Sequence, residues 1–492
     1  MDQQVVPAFE PHAVPANHRT RSISLRLSQN YLWWLLGTAL ALLAYRIGLM
    51  LVLPLADTTE ARYGEIARLT VSNGFWLMPH IDPHTPFFAK PPLSTWLSAV
   101  SMMLFGVNEF AARLPALLAS LAALWLAWAF AAELQIRQRW LVAPVLASSP
   151  LFFLCAGAVM TDAVQLMLIS AALYFAWRAL KATADRQAGR RWRLAFWSMV
   201  GLGALCKGLA TWALIGLPLL AYVLIERRPL QIFKDIFDWA GVVIAFGIFM
   251  PWYIAAEYYN PGFINYFIVG EHFSRFLVPG WKGDRYGIAQ RQPLGAIWVF
   301  WVIGILPWIG IFATEMFRIF FKHRKELQPV ERFLWCATLA PLLFFTFSSN
   351  IIWTYGLTAA LPFAVLAARW LDNAPKPTLR RTSIAVLAIT LLSIICGPVI
   401  ISNASNNSDR DLIAAYHHAS KHSGTELLYR TPPAYSSIYY TKGTLEYPPD
   451  PTRPHDAHKT YVVIDRKDVQ MQSINPSRIL FTGKFRALIA PE

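Results

Sequence analysis

Residues 31–55 read YLWWLLGTALALLAYRIGLMLVLPL, and residues 56–113 follow at once with ADTTEARYGEIARLTVSNGFWLMPHIDPHTPFFAKPPLSTWLSAVSMMLFGVNEFAAR. The first stretch is long and apolar enough to cross the hydrocarbon core, which takes roughly 20 residues as a helix. The second sets Asp57, Glu60, Arg62, Glu65, Lys90 and Arg113 directly beyond that span. Ionisable groups are costly beside a bilayer, so a cluster there calls for named partners and a functional hypothesis.

Similar apolar runs recur along the 492 residues, 55% of which are hydrophobic and 20 of which are Trp. The chain is therefore expected to be a mainly α, polytopic membrane protein of about eleven transmembrane helices. The candidate spans are 31–55, 114–134, 140–159, 163–180, 194–205, 209–225, 239–256, 294–313, 333–347, 354–371 and 383–401. The net charge of +15 could point to nucleic acid, but its placement speaks for membrane orientation. Arg19, Arg21 and Arg26 precede the first span, and clusters at 137–139, 178–193, 227–234, 318–332 and 376–381 fall in alternate loops. The positive-inside rule puts the N-terminus and these loops in the cytoplasm and the C-terminal segment on the external, periplasmic side. The expected location is the inner membrane, with membrane lipids as neighbours and no nucleic acid partner. The first apolar run is expected to remain as an uncleaved anchor, since no signal-cleavage pattern precedes it. Cys155, Cys206, Cys336 and Cys396 lie in or beside spans at no metal-ligand spacing, which points to packing.

This topology divides the chain into a cytoplasmic tail (1–30), a membrane domain (31–402) and a small external α/β domain (403–492). The first external loop (56–113) suits two interfacial helices, one capped by Thr58 or Thr59 and running through Arg68, the other from Leu93 to Phe105, around the Pro-rich PHIDPHTPFFAKPP. A second external loop covers about 256–292. After the polar 403–409 stretch, a helix is expected at 411–423, and ELLYR, SSIYYT and TYVVID pattern as short strands.

Several side chains can carry chemistry, each with a structural alternative. Asp57 and Glu60 sit where a span leaves the membrane and can act as general base toward an acceptor hydroxyl; they can also cap a helix or favour its dipole. Asp162, nearly the only charge in CAGAVMTDAVQLML, is either a cap or part of a site. Arg62 and Lys90 can hold a phosphate. Lys207 in ALCKGLATW does the same or snorkels to the interface. Glu271, His272 and Arg275 form a compact charged set in GEHFSRFL. His80, Asp82 and His84 form a weak metal pattern.

In their order along the chain, TTEARYGEIARL, GFWLMPHI, FFAKPPLSTWL, LFGVNEFAARLPA, the Asp162 junction, ALCKGLA, EHFSRFL, GILPWIG and SSNIIWTYGLTAALPFAVLAA resemble the GT-C membrane glycosyltransferases. The resemblance is to the bacterial branch with the lipid A aminoarabinose transferases, related to the protein O-mannosyltransferases. It implies transfer of a sugar from a polyprenyl-phosphate donor to a lipid A, glycan or protein acceptor on the external face. By motif it places Glu60, Arg62, Tyr63, Lys90, Asp162 and Tyr355 on family site positions. Joined to the residues read above, this gives Glu60, Asp57 and Asp162 as catalytic candidates, Arg62, Lys90, Lys207 and Arg275 as donor-phosphate contacts, and Tyr63, Glu271, His272 and Tyr355 as further site positions. Thr59 stands where many relatives have Asp, Ala89 where aminoarabinose transferases have Glu, and Asn350 where a Lys is common. These departures leave the base open between Glu60 and Asp57. They also remove a potential metal ligand, so the site expectation is no metal, with a divalent ion left open as cofactor.

The expected reaction is an inverting transfer, with cations stabilising the leaving phosphate. The rival readings are a lipid-phosphate flippase or transporter, against which the missing internal repeat speaks, and a protein O-mannosyltransferase.

Overall fold

The computed structural model describes residues 18–182, 186–287, 290–321, 327–420, 425–449, 456, 458–471 and 474–491, and it is mainly helical. The first span lies in α1 (His18–Val52), so residues 18–30, expected as a tail, are helix continuous with it. The rest of that tail and the loop cations Lys322, Arg324 and Lys325 lie outside the described residues. Pro54, with no N–H to donate, follows the end of α1.

The first loop folds as α2 (Thr59–Asn73) and α3 (Leu93–Phe105). α2 runs past the expected Arg68 and stops at Gly74, whose φ of 74° ends the helix without strain. It packs inward through Ile66, Ala67 and Leu69, whereas α3 leaves Met103, Leu104 and Phe105 exposed. α4 (Glu109–Glu133) is N-capped by Asn108, whose side chain accepts from the Ala111 amide at 2.8 Å.

The 140–159 stretch does not form one span. After a 3-10 turn it breaks into α5 (Val142–Ser148) and α6 (Pro150–Cys155), because Pro150 pushes Ser149 into an extended conformation. The guanidinium of Arg46, buried in α1, donates to the carbonyls of Ala156 and Leu154 just beyond the break. This buried cation thus satisfies backbone acceptors that water cannot reach.

α7 (Asp162–Lys181) and α8 (Arg186–Lys207) pack along each other, and α9 (Leu209–Glu226), α10 (Pro229–Ile236) and α11 (Trp239–Tyr259) follow. A π-helical segment, Asn265–Ser274, leads into the short α12 (Arg275–Leu277). The 294–313 stretch is divided at Pro307 into α13 (Ala296–Gly304) and α14 (Ile309–Phe321). α15 (Pro329–Thr346), a 3-10 turn at Trp353–Gly356 and α16 (Leu357–Asp372) come next. α17 (Lys376–Ile395) then gives way to α18 (Gly397–Asn406), which carries helix into the polar stretch expected to start at Asn403. Among the described residues, six helices are long and apolar enough to cross a membrane: Trp33–Val52, Glu109–Glu133, Asp162–Lys181, Leu209–Glu226, Trp239–Tyr259 and Lys376–Ile395. Phe130, Trp177, Trp301, Phe333 and Phe363 fill the core between α4, α7, α13, α15 and α16.

At the C-terminal end, α19 (Arg410–Ala419), β1 (Glu426–Tyr429), α20 (Tyr435–Tyr440), β2 (Thr460–Asp465), α21 (Arg466–Met471), β3 (Ile479–Thr482) and β4 (Arg486–Ile489) build a four-stranded sheet flanked by helices. The strand order is β1-β2-β4-β3, with β1 and β2 parallel and the other pairs antiparallel. Leu412, Ile413 and Tyr416 of α19 pack on Leu427, Val463 and Leu488 of the sheet. The expected helix at 411–423 is α19, which ends at Ala419.

SSIYYT, expected as a strand, forms α20 instead. The Ala434 amide donates to Ser437 Oγ at 3.0 Å, and Ser436 donates from both its amide and its hydroxyl to Asp57. The local Ala434–Ser437 bond closes a helical turn, the distant Asp57 holds it, and together they outweigh the alternating pattern. α20 seats on α2 at Gly64, where an added Cβ would stand 2.5 Å from Leu55 Cδ1 and 3.6 Å from the Tyr439 ring.

Candidate active site

The turn between α8 and α9 sets the first cation. Gly208 has φ 65°, a conformation open to glycine, and a Cβ there would lie 2.7 Å from Phe267 and 3.0 Å from His272. The chain therefore reverses directly after Lys207, whose Nζ comes 3.1 Å from Asp162 Oδ1 and 5.3 Å from the centre of the Tyr355 ring. His272 is fixed on both ring nitrogens, against Phe267 O at 2.8 Å and Lys207 O at 3.2 Å. Burial pushes its pKa below the usual histidine value.

The π-helical segment presents the next charges. Glu271 is buried, and Lys90 Nζ and Arg275 Nη1 each reach its Oε2 at 3.1 Å. Arg275 also meets Asp284 at 3.3 Å, and Tyr266 OH donates to Glu271 at 3.3 Å. Burial alone raises a carboxyl's pKa, but Lys90 and Arg275 outweigh it and hold Glu271 below the usual glutamate value. Lys90 in the first loop is thereby tied to the second.

A cavity of about 300 Å³ opens between these groups. Asp162, Lys207, Glu271, His272, Arg275 and Tyr355 supply its polar lining, joined by Gln165, Asn350, Thr354 and Thr358. Leu209, Ala213, Leu214, Phe273, Phe276, Phe344 and Phe345 line the apolar remainder. Asn350, where a Lys was expected from the resemblance, donates to Arg275 O and Val278 O at 2.6 Å each and accepts from Gly280 N. It shapes the loop carrying Arg275 and brings no charge.

Other expected positions lie elsewhere. Glu60 accepts from Arg113 at 2.7 and 3.2 Å and from Val159 N at 3.0 Å. Burial would raise its pKa, yet Arg113 holds it below the usual glutamate value. Arg113, 1% exposed, also donates to Met50 O, Leu53 O and Pro54 O, so the pair clamps the end of α1 to α2 and α4. Through Val159, Glu60 also supports the turn that leads to Asp162. Asp57 is bound to Ser436 of α20; burial pushes its pKa up to about 6, with the Ser436 hydrogen bonds acting against that rise.

Arg62 is not on the cavity wall. Its Nη1 donates to Tyr286 O at 2.5 Å, and its guanidinium lies over Tyr63 and Phe87, 5.4 and 5.9 Å from the ring centres. Tyr63 packs edge-on against Phe87. His80 stacks on Phe75 at 3.9 Å, and Asp82 accepts from the His84 and Thr85 amides to close a turn. Among the described residues, no three His, Cys, Asp or Glu side chains converge on a metal position. The reading from sequence missed Asp284, Gln165, Thr354 and Thr358. The Thr354–Thr358 spacing in WTYGLT was the available signal.

Residues 89–254 match the family model described as dolichyl-phosphate-mannose-protein mannosyltransferase. The fold superposes on the crystal structure of ArnT from Cupriavidus metallidurans bound to undecaprenyl phosphate with a TM-score of 0.73 at 19% identity, covering 94% of this chain and 98% of that one. Over residues 89–254 the chain is thus similar to that mannosyltransferase family, and it shares the fold of ArnT. The undecaprenyl phosphate-alpha-4-amino-4-deoxy-L-arabinose arabinosyl transferase of Aeromonas hydrophila is 30% identical over 320 residues, 64% of this chain and 56% of that protein. The corresponding transferase of Yersinia enterocolitica is 26% identical over 377 residues, 74% of this chain and 65% of its own length. The chain thus spans between 56% and 65% of the length of these two transferases.

Proposed function

We propose that the protein transfers a sugar from a polyprenyl-phosphate donor to an acceptor at the external face of the inner membrane. The proposed donor is undecaprenyl phosphate carrying 4-amino-4-deoxy-L-arabinose and the proposed acceptor is lipid A, as the names of the relatives suggest. The observation that carries this reading is the mixed lining of the cavity. It gathers Lys207 and Arg275, with Lys90 behind Glu271, suited to a phosphate. It also carries leucine and phenylalanine side chains suited to the first isoprenoid units.

The charges here are balanced, with Lys90, Lys207 and Arg275 facing Asp162, Glu271 and Asp284. An arriving phosphate draws Lys207 away from Asp162 and leaves that carboxylate free toward the acceptor. The anomeric carbon–oxygen bond to the phosphate then breaks as one to the acceptor oxygen forms, in an inverting displacement. Asp162 takes the acceptor proton, and the electron pair leaves on polyprenyl phosphate, stabilised by the cations. An acceptor that is already an ionised phosphate has no proton to lose, and Asp162 then only orients it. Glu60 and Asp57 act at one remove, through Arg113 and Ser436.

In this reading residues 31–402 form the membrane domain with about eleven crossings, broken segments included. Residues 1–30 face the cytoplasm, and residues 403–492 form an external domain docked on the first loop through Asp57 and Ser436. The mannosyltransferase family match favours a second acceptor class, a protein hydroxyl. Mass spectrometry of lipid A and surface glycoproteins from a deletion strain and its parent separates the two: loss of an amino sugar from lipid A supports the first, and loss of glycopeptides the second.

A further inference from the structure

The cavity wall contains two hydroxyls that the charges do not use. Thr354 Oγ1 and Thr358 Oγ1 have no hydrogen-bond partner among the described residues, although the residues are only 2% and 6% exposed. A buried threonine on a helix ordinarily donates to the carbonyl four residues back. Thr338 and Thr346 of α15 and Thr390 of α17 do so at 2.8 to 2.9 Å. Thr358 is the second residue of α16, and the Thr354 carbonyl four residues back belongs to the 3-10 turn and accepts from Leu357 N, so Thr358 makes no such bond. Gln165, about one helical turn past Asp162, also lines the cavity and gives its Nε2 a single 3.4 Å contact to Thr211. Unpaired polar groups are expensive to bury, and those that line a cavity are held there at a cost that a ligand can recover.

We infer that Thr354 and Thr358, with Gln165, form the surface that hydrogen-bonds the sugar of the donor and selects among sugars. The inference rests on the transferase reading. The donor has three chemical parts: the isoprenoid offers no hydrogen bonds, and the phosphate is matched by Lys207 and Arg275. Neutral groups that both donate and accept match the remaining part, the ring hydroxyls. A site built this way rejects sugars that lack the matching hydroxyl, because its own buried groups then go unpaired.

The test uses the full chain in lipid nanodiscs with undecaprenyl-phosphate-4-amino-4-deoxy-L-arabinose as donor and sugar-free undecaprenyl phosphate as comparison ligand. Thr354→Val and Thr358→Val should each lower kcat/KM for the donor about three- to tenfold. Both variants should bind sugar-free undecaprenyl phosphate as the parent does and should melt no lower, since each removes a polar atom without a partner. Thr354→Ser and Thr358→Ser should stay close to the parent. Unchanged kcat/KM in the valine variants overturns the inference, as does an equal loss for the sugar-free lipid, which would place the hydroxyls on the phosphate. A fall in melting temperature would assign them a structural role and also overturns it. A parent protein that releases no undecaprenyl phosphate from the donor defeats the transferase reading itself, a result distinct from failure in the variants alone.

Discussion

Lys90 Nζ lies 3.1 Å from Glu271 Oε2 across 181 residues of sequence, and this pair fastens the FFAKPP turn to the π-helical segment behind the cavity. Arg275 shares the same carboxylate, so two cations are held next to one buried acid, Arg275 on the cavity wall and Lys90 behind it.

Lys90→Met removes the cation behind Glu271 and leaves that acid less neutralised beside the donor phosphate, and donor use should fall on the order of tenfold or more, the loss of the charge-assisted Lys90–Glu271 contact being worth about 1.5–3 kcal/mol. Lys90→Arg should recover only part, because a planar fork does not replace a compact ammonium that also donates to Ala89 O at 2.6 Å. Turnover against donor concentration in nanodiscs checks both. Unchanged donor dependence in Lys90→Met would reduce Lys90 to an anchor between loops.

Glu60→Gln should abolish most transfer while leaving membrane insertion intact, and it should also lower the thermal midpoint. Breaking a buried ion pair on one side costs on the order of 3–5 kcal/mol, less here because the Glu60 side chain is 20% exposed. If Glu60 acts through Arg113, then Arg113→Gln causes a comparable loss and the double variant loses far less than the sum. Additive losses in kcat/KM would instead give Glu60 an independent role as base.

Asp57 supplies a pH signature. Its folded pKa is raised to about 6, so the folded state holds the proton more tightly than the unfolded one. The stability this contributes is present at low pH, declines as pH rises from the ordinary aspartate value, and is gone above about 6. The thermal midpoint of the parent should therefore lose stability across that window relative to Asp57→Asn, which carries no titrating group there. Parallel midpoint profiles for the two proteins would show that the Asp57–Ser436 contact does not couple to protonation.

Membrane orientation is checked by reporters. One fused after Ser408, beyond the end of α18, should report the external side, and one within residues 186–191 the cytoplasm. The opposite pair of signals would turn the cavity to the wrong face.

Long apolar runs, the first-loop helices and the charged cluster at 271–275 were legible in the sequence because period, length and charge each have one dominant structural solution. The breaks at Ser149–Pro150 and Pro307 were not read, since hydropathy averages over a single proline. SSIYYT was misread as a strand because its alternation is real, and only the contact with Asp57 and the Ser437 cap select the helix. The Arg62 and Tyr63 positions followed family order along the chain, but their side chains turn toward Tyr286 and Phe87, away from the cavity. Thr354 and Thr358 went unnoticed because their spacing in WTYGLT is visible in the sequence but their lack of partners is a property of packing.

The most direct measurement gives the purified protein in nanodiscs undecaprenyl-phosphate-4-amino-4-deoxy-L-arabinose and lipid A, and follows both lipids by mass spectrometry. The account predicts aminoarabinose-modified lipid A and one undecaprenyl phosphate released per sugar transferred, both lost in Lys207→Met. Intact donor that crosses the bilayer of proteoliposomes with its glycosidic bond unbroken would contradict it and make the protein a lipid-phosphate transporter.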